Sequence, residues 1–169
     1  KNILGDLPQK TFRFETRHTE LAPFSLPQDC SIKDALVRVL RLPSVGSKRY
    51  LTTKVDRSVT GLVARQQCVG PNHLPLADFG IVAQSHFSRS GIAIGIGEQP
   101  LKGLVSPQAA ARMAVSEMLL NLAGARIESI ESIKCSANWM LAAKGKDNDG
   151  AWLYEAACAL RDICVTLGI

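Results

Sequence analysis

The segment PQAAARMAVSEMLLNLAG, at residues 107–124, restricts the fold more than any other part of the chain. Pro107 predicts the start of a helix, because proline fits the first turn, and Gly124 predicts its end. The predicted helix is apolar almost all round, which indicates that other parts of the chain cover it. Glu117 and Asn121 interrupt the apolar pattern, and their spacing of four residues places both on one face.

A carboxylate and an amide are costly to bury unless hydrogen bonds or a ligand satisfy them. Both side chains offer oxygen atoms, which Mg²⁺ prefers as ligands. Asp78 supplies a third candidate oxygen at the start of the apolar run FGIVA. These three residues are the candidate site. Other interpretations stay open, since Glu117 and Asn121 could face solvent or bond to neighbouring backbone, and Asp78 could cap a turn.

Length and composition indicate one globular domain: the chain has 169 residues, of which 46% are hydrophobic and 21% charged. The net charge of +5 is scattered and fits an anionic ligand such as a nucleotide phosphate. Aromatic residues make up only 5%, and no nucleic-acid-binding motif occurs, which disfavours a nucleic-acid-binding module. No apolar run is long enough to predict a membrane span, and no signal peptide is recognised.

The five cysteines are odd in number and form neither a CxxC pair nor a zinc-site spacing. We interpret them as reduced thiols of an intracellular protein. Cys158 and Cys164 lie in an apolar helical pattern and are expected in the core.

Local patterns predict the remaining elements. Residues 1–29, with three prolines among polar residues, are interpreted as a linker or covering arm, and residues 30–169 as the domain itself. Ser31 caps a predicted helix, IKDALVRVLRL, which Pro43 stops. Strands are predicted at residues 50–55, 76–84, 91–96 and 130–138, and an amphipathic helix at 151–167. Residues 56–71 fit either a helix or an irregular segment. The order predicts an α/β (α+β) fold, a mixed sheet with helices on one face.

Several other motifs give weaker signals. GIGEQP looks like a phosphate loop but matches neither GxGxxG nor GxxxxGK[ST], so Gly95 and Gly97 are interpreted as marks of close backbone approach or a bulge. Residues 134–138 (KCSAN) end a predicted strand, where ligands often gather, although Asn138 fits a turn equally well. The histidines are interpreted as surface or turn residues and the tryptophans as packing residues; they are His18, His73, His86, Trp139 and Trp152.

Taken together, several segments closely resemble the family of large, single-chain phosphoribosylformylglycinamidine synthases of purine biosynthesis. The segments are VDRSVTGLVARQQCVGP, PLAD, IGEQP, ARMAVSEMLLNLAGA and KCSANWM, in that order, with LGDLP near the start. The resemblance runs from about residue 2 to the last residue. It implies that the chain is cut from a longer one and is a domain of the second half of such a synthase. This domain is of the N-terminal type and is similar to the N-terminal domain of aminoimidazole ribonucleotide synthetase.

The resemblance implies a ligase that uses glutamine as nitrogen donor. The family converts formylglycinamide ribonucleotide, glutamine, ATP and water to formylglycinamidine ribonucleotide, glutamate, ADP and phosphate. A separate glutaminase domain supplies the ammonia, so no catalytic residue is assigned to this chain. The resemblance also implies that Ala77 contacts a nucleotide, ATP or ADP, and that Asp78, Glu117 and Asn121 bind Mg²⁺ in an auxiliary, structural site. An Asp and a Ser from a GKDS-type loop beyond residue 169 would complete it.

The implied partners are other domains of the same chain: the first-half synthetase-like domains, the following C-terminal-type domain and the glutaminase domain. In the family, N-terminal-type domains pair side by side in a barrel-like interface, so exposed apolar sheet edges are expected. The isolated domain is expected to be inactive and the enzyme cytoplasmic, with an organellar targeting segment left open. The alternative is a non-catalytic scaffold domain whose nucleotide site has decayed.

Overall fold

The computed structural model describes residues 5, 11, 13–15, 20–47, 49, 61–141 and 149–169. The helices are α1 (Ile32–Leu40), α2 (Pro100–Gly103), α3 (Pro107–Leu122) and α4 (Asp149–Leu167), and a 3-10 helix spans Ile130–Ser132. The strands are β1 (Val63–Arg65), β2 (Cys68–Val69), β3 (Leu74–Pro75), β4 (Phe79–Ala83) and β5 (Gly91–Gly95). This combination of helices and strands confirms the predicted α+β class.

The chain divides into two compact units. The sheet unit comprises Leu21–Glu98 and Ser116–Glu128, and the helical unit comprises Lys1–Glu20, Gln99–Val115 and Ser129–Ile169. The boundary falls within α3, so the first part of this helix belongs to the helical unit and its last part to the sheet unit. The predicted division of the chain at residue 30 stays a prediction.

Three antiparallel strands in the order β1-β4-β5 form the main sheet of the sheet unit. β4 and β5 pair along their whole length, from Phe79 opposite Gly95 to Ala83 opposite Gly91. Both strands are short apolar runs between polar or glycine-containing turns, a pattern that favours strands. Among the strands of the described residues, β5 stands last in this order and forms one edge of the sheet. The described part of the chain contains none of the parallel pairs that a mixed sheet would need.

A two-stranded ribbon, β2 with β3, completes the strands of the sheet unit. Its turn is closed by the N–H of His73, which donates to the carbonyl oxygen of Gly70 at 3.1 Å. Both residues have positive φ, +73° at Gly70 and +47° at His73. His73 is thus a turn residue, as predicted.

The strands confirm some of the sequence predictions and correct others. The strands predicted at 76–84 and 91–96 correspond to β4 and β5, and the open segment 56–71 contains β1 and β2. The predicted strand at 50–55 lies outside the described residues. The strand predicted at 130–138 is wrong, because a 3-10 helix begins there and the extended backbone that follows has no partner strand among residues 61–141.

Helix α1 carries the complete N-terminal cap that the sequence predicted. The Oγ of Ser31 accepts from the N–H of Asp34 at 3.1 Å, and the Asp34 carboxylate accepts from the N–H of Ser31 at 3.2 Å. This capping box satisfies two backbone donors at once. The helix ends at Leu40, before Pro43, and its apolar residues are left largely exposed.

In the helical unit, the first part of α3 packs against α4. Small side chains at the contact allow a close approach of the two helices. The Nε2 of Gln108 on α3 donates to the Oε2 of Glu155 on α4 at 2.6 Å. The core residues are Ala111, Ala156 and Ala159, with Leu160 packed against them. The predicted C-terminal helix is confirmed, although it begins at Asp149 rather than at residue 151.

Helix α3 begins at Pro107, as predicted, and ends at Leu122, two residues before Gly124. Its coverage is less complete than the apolar sequence indicates. Val115 and Leu122 are buried, whereas the side chain of Leu120 is 74% exposed. Only one side of the helix is covered by the described part of the chain, and this leaves the opposite side to solvent.

Candidate functional site

The residues Ala77 and Asp78 lie directly before β4, where the chain enters the main sheet. The N–H of Ala77 donates to the carbonyl oxygen of Gln67 at 3.2 Å, which fixes the backbone at this point. Ala77 is half-buried and Asp78 is exposed. The carboxylate of Asp78 is therefore accessible to a ligand at the start of the strand.

Glu117 and Asn121 lie one turn apart on α3, in the sheet unit. Both are half-buried. The Oε2 of Glu117 accepts a hydrogen bond from the N–H of Glu98 at 3.0 Å. The Nδ2 of Asn121 donates to the carbonyl oxygen of Ile96 at 2.8 Å. The two side chains bond to backbone, as one alternative allowed, and the Oδ1 of Asn121 and the Oε1 of Glu117 are not the atoms used in these two bonds.

The register of the sheet relates these helix residues to Asp78. Phe79 pairs with Gly95, so Asp78, which precedes Phe79, and Ile96, which follows Gly95, lie at the same end of the β4–β5 pair. Ile96 is also the residue to which the helix amide donates. The three candidate oxygen ligands therefore gather at one end of the sheet.

Two glycines allow α3 and the turn that follows it to approach the strands closely at this end. A Cβ on Gly95 would lie 2.6 Å from the Cγ of Leu122. A Cβ on Gly124 would lie 2.8 Å from the Cε1 of Phe79. Both distances are shorter than real Cβ contacts. The interpretation of Gly95 as a point of close backbone approach is confirmed.

A cation lies next to the strand residue that follows Asp78. The Cζ of Arg65 lies 4.4 Å from the centre of the Phe79 ring, within the range of a cation–π interaction. The buried Nε of Arg65 has no hydrogen-bond partner within the described residues. Arg65 thus places a fixed positive charge near this end of the sheet, which favours an anionic ligand there.

The donor set fits a hard cation. Two carboxylates and one amide offer only oxygen atoms, and Mg²⁺ is commonly bound through one or two carboxylates while waters and phosphate oxygens fill the other positions. Residues 61–141 and the other described segments contain no group of three or more His, Cys, Asp or Glu placed to hold a metal ion. Asp78, Glu117 and Asn121 could thus supply only part of the coordination shell of such a cation.

The remaining candidate motifs are the segment 134–138 and the histidines. Lys134 donates through Nζ to the carbonyl oxygen of Glu131 at 3.2 Å, and Asn138 is exposed in an irregular segment. His86 is exposed beside Phe87, and His18 lies outside the described residues. The segment 134–138 therefore does not end a strand, which removes the reason for expecting ligands there.

All five cysteines are free. Cys158 and Cys164 are half-buried in α4 rather than fully in the core, while Cys135 is exposed. Burial, followed by the negative charge and hydrogen bond of neighbouring Cys135, raises the pKa of the Cys164 thiol. Trp152 packs against Gly103, as expected of a packing residue, whereas Trp139 is 38% exposed.

Sequence reasoning missed the backbone partners of the candidate ligands, the carbonyl of Ile96 and the N–H of Glu98. Main-chain groups have no residue signature. The one available signal was the motif GIGEQP, which contains both residues and which the sequence interpretation assigned to backbone approach.

No helix in the described part of the chain has the length and apolar character needed to cross a bilayer.

A family model for the FGAR-AT PurM_N-like domain matches residues 47–169. Over 169 residues, the chain is 50% identical to a protein of Arabidopsis thaliana named probable phosphoribosylformylglycinamidine synthase, chloroplastic/mitochondrial; the match covers 100% of this chain and 12% of the relative. It is also 50% identical, over 167 residues, to the phosphoribosylformylglycinamidine synthase of Homo sapiens, covering 99% of this chain and 12% of the relative. The chain thus spans about an eighth of the length of these relatives.

Proposed function

Because the chain belongs to the FGAR-AT PurM_N-like domain family, we propose that it works as one domain of a large phosphoribosylformylglycinamidine synthase. The full-length enzyme is a ligase that makes formylglycinamidine ribonucleotide from formylglycinamide ribonucleotide, with glutamine, ATP and water as co-substrates. Support comes from identities of about half over the whole chain, with relatives that are about eight times longer. The ammonia comes from a glutaminase domain elsewhere in the protein.

Within that enzyme, the domain contributes a site for a Mg²⁺–nucleotide. One observation carries this assignment: Asp78, Glu117 and Asn121, which are distant in sequence, gather at one end of the β4–β5 pair. Their oxygens hold the cation, and Ala77 lies against the nucleotide, either ATP or ADP. The bound cation supplies charge neutralisation to the phosphate oxygens. Arg65, stacked on Phe79, adds a fixed positive charge nearby.

The site holds its nucleotide without turning it over. Three protein oxygens leave a coordination shell that other parts of the full-length chain and the phosphates must complete. The absence of turnover follows from the resemblance to the second half of the large synthases, whose nucleotide is expected to be held and not hydrolysed. The nucleotide is therefore a structural ligand of the enzyme, and the isolated domain forms no formylglycinamidine ribonucleotide from glutamine or ammonia.

The test is Glu117→Ala in the full-length enzyme. Nucleotide content after purification and the melting temperature should both fall, since the variant loses one of two carboxylates at the site. Glu128→Ala serves as the control, because Glu128 is exposed in the same unit. If Glu117→Ala leaves the nucleotide content and the melting temperature unchanged, the proposed nucleotide site is wrong. That result would favour a scaffold domain whose nucleotide site has decayed.

The domain also pairs with another domain of the same enzyme through its sheet. In the described part of the chain β5 is an edge strand, and Ile92 and Ile94 on one of its faces are 68% and 53% exposed. Their partners across the ladder, Val82 and Gly80, lie on the same face. Such an apolar edge favours association. The expected partner is the N-terminal-type domain of the first half of the enzyme.

Pairing is tested with Ile92→Lys in the full-length enzyme. A charge placed on this face should lower the melting temperature and the activity if the face is covered by a partner domain. Val165→Lys is the matched control, because Val165 is 75% exposed on α4, in the helical unit. Equal melting temperatures for the two variants would exclude this face as the interface.

A further inference from the structure

We propose that the backbone of residues 96–98, which continues from β5, is the positioning element of the nucleotide site. We call this segment the β5 extension. Its carbonyl group at Ile96 and its N–H at Glu98 orient Asn121 and Glu117 so that their remaining oxygens face the cation. The inference rests on the proposed function. It adds to that function the backbone groups that determine which side-chain atoms of Asn121 and Glu117 face the cation.

The two hydrogen bonds have a definite direction. Ile96 bonds to Asn121, late in α3, and Glu98 bonds to Glu117, one turn earlier, at 2.8 Å and 3.0 Å. The β5 extension therefore runs antiparallel to the helix and contacts it at two successive turns. The carbonyl acceptor and the N–H donor lie two residues apart on the β5 extension. They bond to an amide and a carboxylate that lie four residues apart on α3.

The bond at Asn121 decides which end of the amide is offered to a ligand. Because Nδ2 donates to the Ile96 carbonyl, the amide plane is fixed and Oδ1 is the end left for a cation. An amide without this partner could rotate and present its NH₂ group, which carries partial positive charge and cannot coordinate a metal ion. The carbonyl of Ile96 thus selects the liganding atom.

The bond at Glu117 acts on a charged group. An N–H that donates to a carboxylate makes a stronger hydrogen bond than one between neutral groups. The N–H of Glu98 engages Oε2, so it fixes the side-chain rotamer and the direction of the second carboxylate oxygen. Partners that orient metal ligands in this way typically change metal affinity by about 10- to 100-fold when removed.

The position of the β5 extension depends in turn on Gly95. A Cβ there would lie 2.6 Å from the Cγ of Leu122 and 3.1 Å from the carbonyl oxygen of Met118. The absence of a side chain brings the end of β5 against α3. Without that approach, neither Ile96 nor Glu98 would be within hydrogen-bonding distance of the helix.

The experiment compares two substitutions at one residue in the full-length enzyme. Glu98→Pro removes the N–H that Glu117 accepts, whereas Glu98→Ala retains it and removes only the side chain. The readout is Mn²⁺ bound in the presence of ADP, followed by electron paramagnetic resonance. We expect Glu98→Pro to bind Mn²⁺ about 10- to 100-fold more weakly than Glu98→Ala. Equal affinities in the two variants would overturn the proposal.

A second variant keeps the proposal falsifiable if Glu98→Pro does not fold. Asn121→Asp retains an oxygen and adds a negative charge, but it replaces the donor to Ile96 with a group that repels the carbonyl. If orientation by the β5 extension matters, Mn²⁺ binds more weakly to Asn121→Asp despite the added charge. Equal or tighter binding would show that the oxygen alone suffices and would overturn the proposal.

Glu117→Ala separates failure of this inference from failure of the proposed function. If Glu117→Ala leaves Mn²⁺ binding and nucleotide content unchanged, the site itself is wrong, and the positioning role falls with it. If Glu117→Ala loses binding while Glu98→Pro matches Glu98→Ala, the site stands and the positioning role is wrong.

Discussion

Leu122 occupies the space that a side chain on Gly95 would need: a Cβ built on Gly95 lies 2.6 Å from the Cγ of Leu122 and 3.0 Å from its Cδ2. Leu122 is the last residue of α3 and is buried, and Gly95 is the last residue of β5. The strand and the helix therefore meet where the candidate ligands lie.

Gly95→Ala should displace the end of α3 from β5 and destabilise this contact by about 1 to 3 kcal/mol, as overpacking generally does. Nucleotide content of the full-length enzyme should fall with it. Hydrogen exchange of the α3 amides measures the loss of local stability. Gly80→Ala is the matched control, since its Cβ would meet only the Arg65 carbonyl oxygen, at an ordinary 3.6 Å. Equal protection in both variants would contradict the close approach.

The hydrogen bond between Gln108 and Glu155, at 2.6 Å and part-buried, should couple α3 to α4. A double-mutant cycle with alanine at both positions should give a coupling of about 1.5 to 3 kcal/mol, since one partner carries a formal charge. The measurement is the free energy of opening of α4, taken from hydrogen exchange. Asp162, which is exposed on α4 and paired with Arg161, should show no coupling to Gln108, and a zero coupling for Glu155 would exclude the contact.

The cap of α1 should make this helix sensitive to acid. The side-chain hydrogen bond of Ser31, followed by that of its backbone N–H, lowers the pKa of Asp34. A lowered pKa means that the stabilisation is present above the unfolded value, about 3.9 for Asp, and is lost as the pH falls through the folded value.

Ser31→Ala should therefore shift the Asp34 titration upward and increase fraying of α1 at neutral pH. Carboxyl chemical shifts followed by NMR measure the titration. Ser31→Thr retains a hydroxyl group and should leave the titration low. The same Asp34 pKa in Ser31→Ala and Ser31→Thr would contradict the capping box.

Cys164 should react slowly with iodoacetamide until alkaline pH, because burial and then neighbouring Cys135 raise the pKa of its thiol. A raised thiol pKa favours the protonated form in the folded chain. The associated stability is thus complete below the unfolded value of about 8.5 and is lost as the pH rises through the folded value. Mass spectrometry of the alkylated peptides measures the rate at each pH.

Cys135→Ser separates the two causes of this shift. It removes the neighbouring thiolate charge and retains the burial of Cys164. In the alkylation profile, the pH at which Cys164 becomes reactive should therefore fall, but it should stay above that of an ordinary thiol. An unchanged profile would assign the whole effect to burial. A complete return to that of an ordinary thiol would contradict burial as the larger cause.

The helix face with Glu117 and Asn121 could be predicted because helical periodicity depends on sequence spacing alone. The position of Asp78 before β4 also followed from the apolar run FGIVA. The hydrogen bonds to residues 96 and 98 could not be predicted. They join main-chain groups, present in every residue, and depend on a β5–α3 distance that only tertiary packing fixes.

The difference between local sequence signals and tertiary packing also explains which fold predictions were confirmed and which were wrong. Helix α1 was predictable because Ser31 and Asp34 make a local cap. The strand predicted at 130–138 was wrong because a strand requires a partner, and pairing depends on distant residues. Ile130 and Ile133 instead lie at the ends of a single 3-10 turn, where the N–H of Ile133 donates to the carbonyl oxygen of Ile130.

The two contacts between the β5 extension and α3 set a strict limit on chain length. Four residues of helix rise about 6 Å, and two residues of extended chain reach at most about 7 Å. The distance from Glu117 to Asn121 along the helix is thus nearly equal to the distance from Glu98 back to Ile96 along the extended chain. Inserting or deleting one residue between Gly95 and Glu98 would break at least one contact, so this segment should tolerate changes of side chain far better than changes of length.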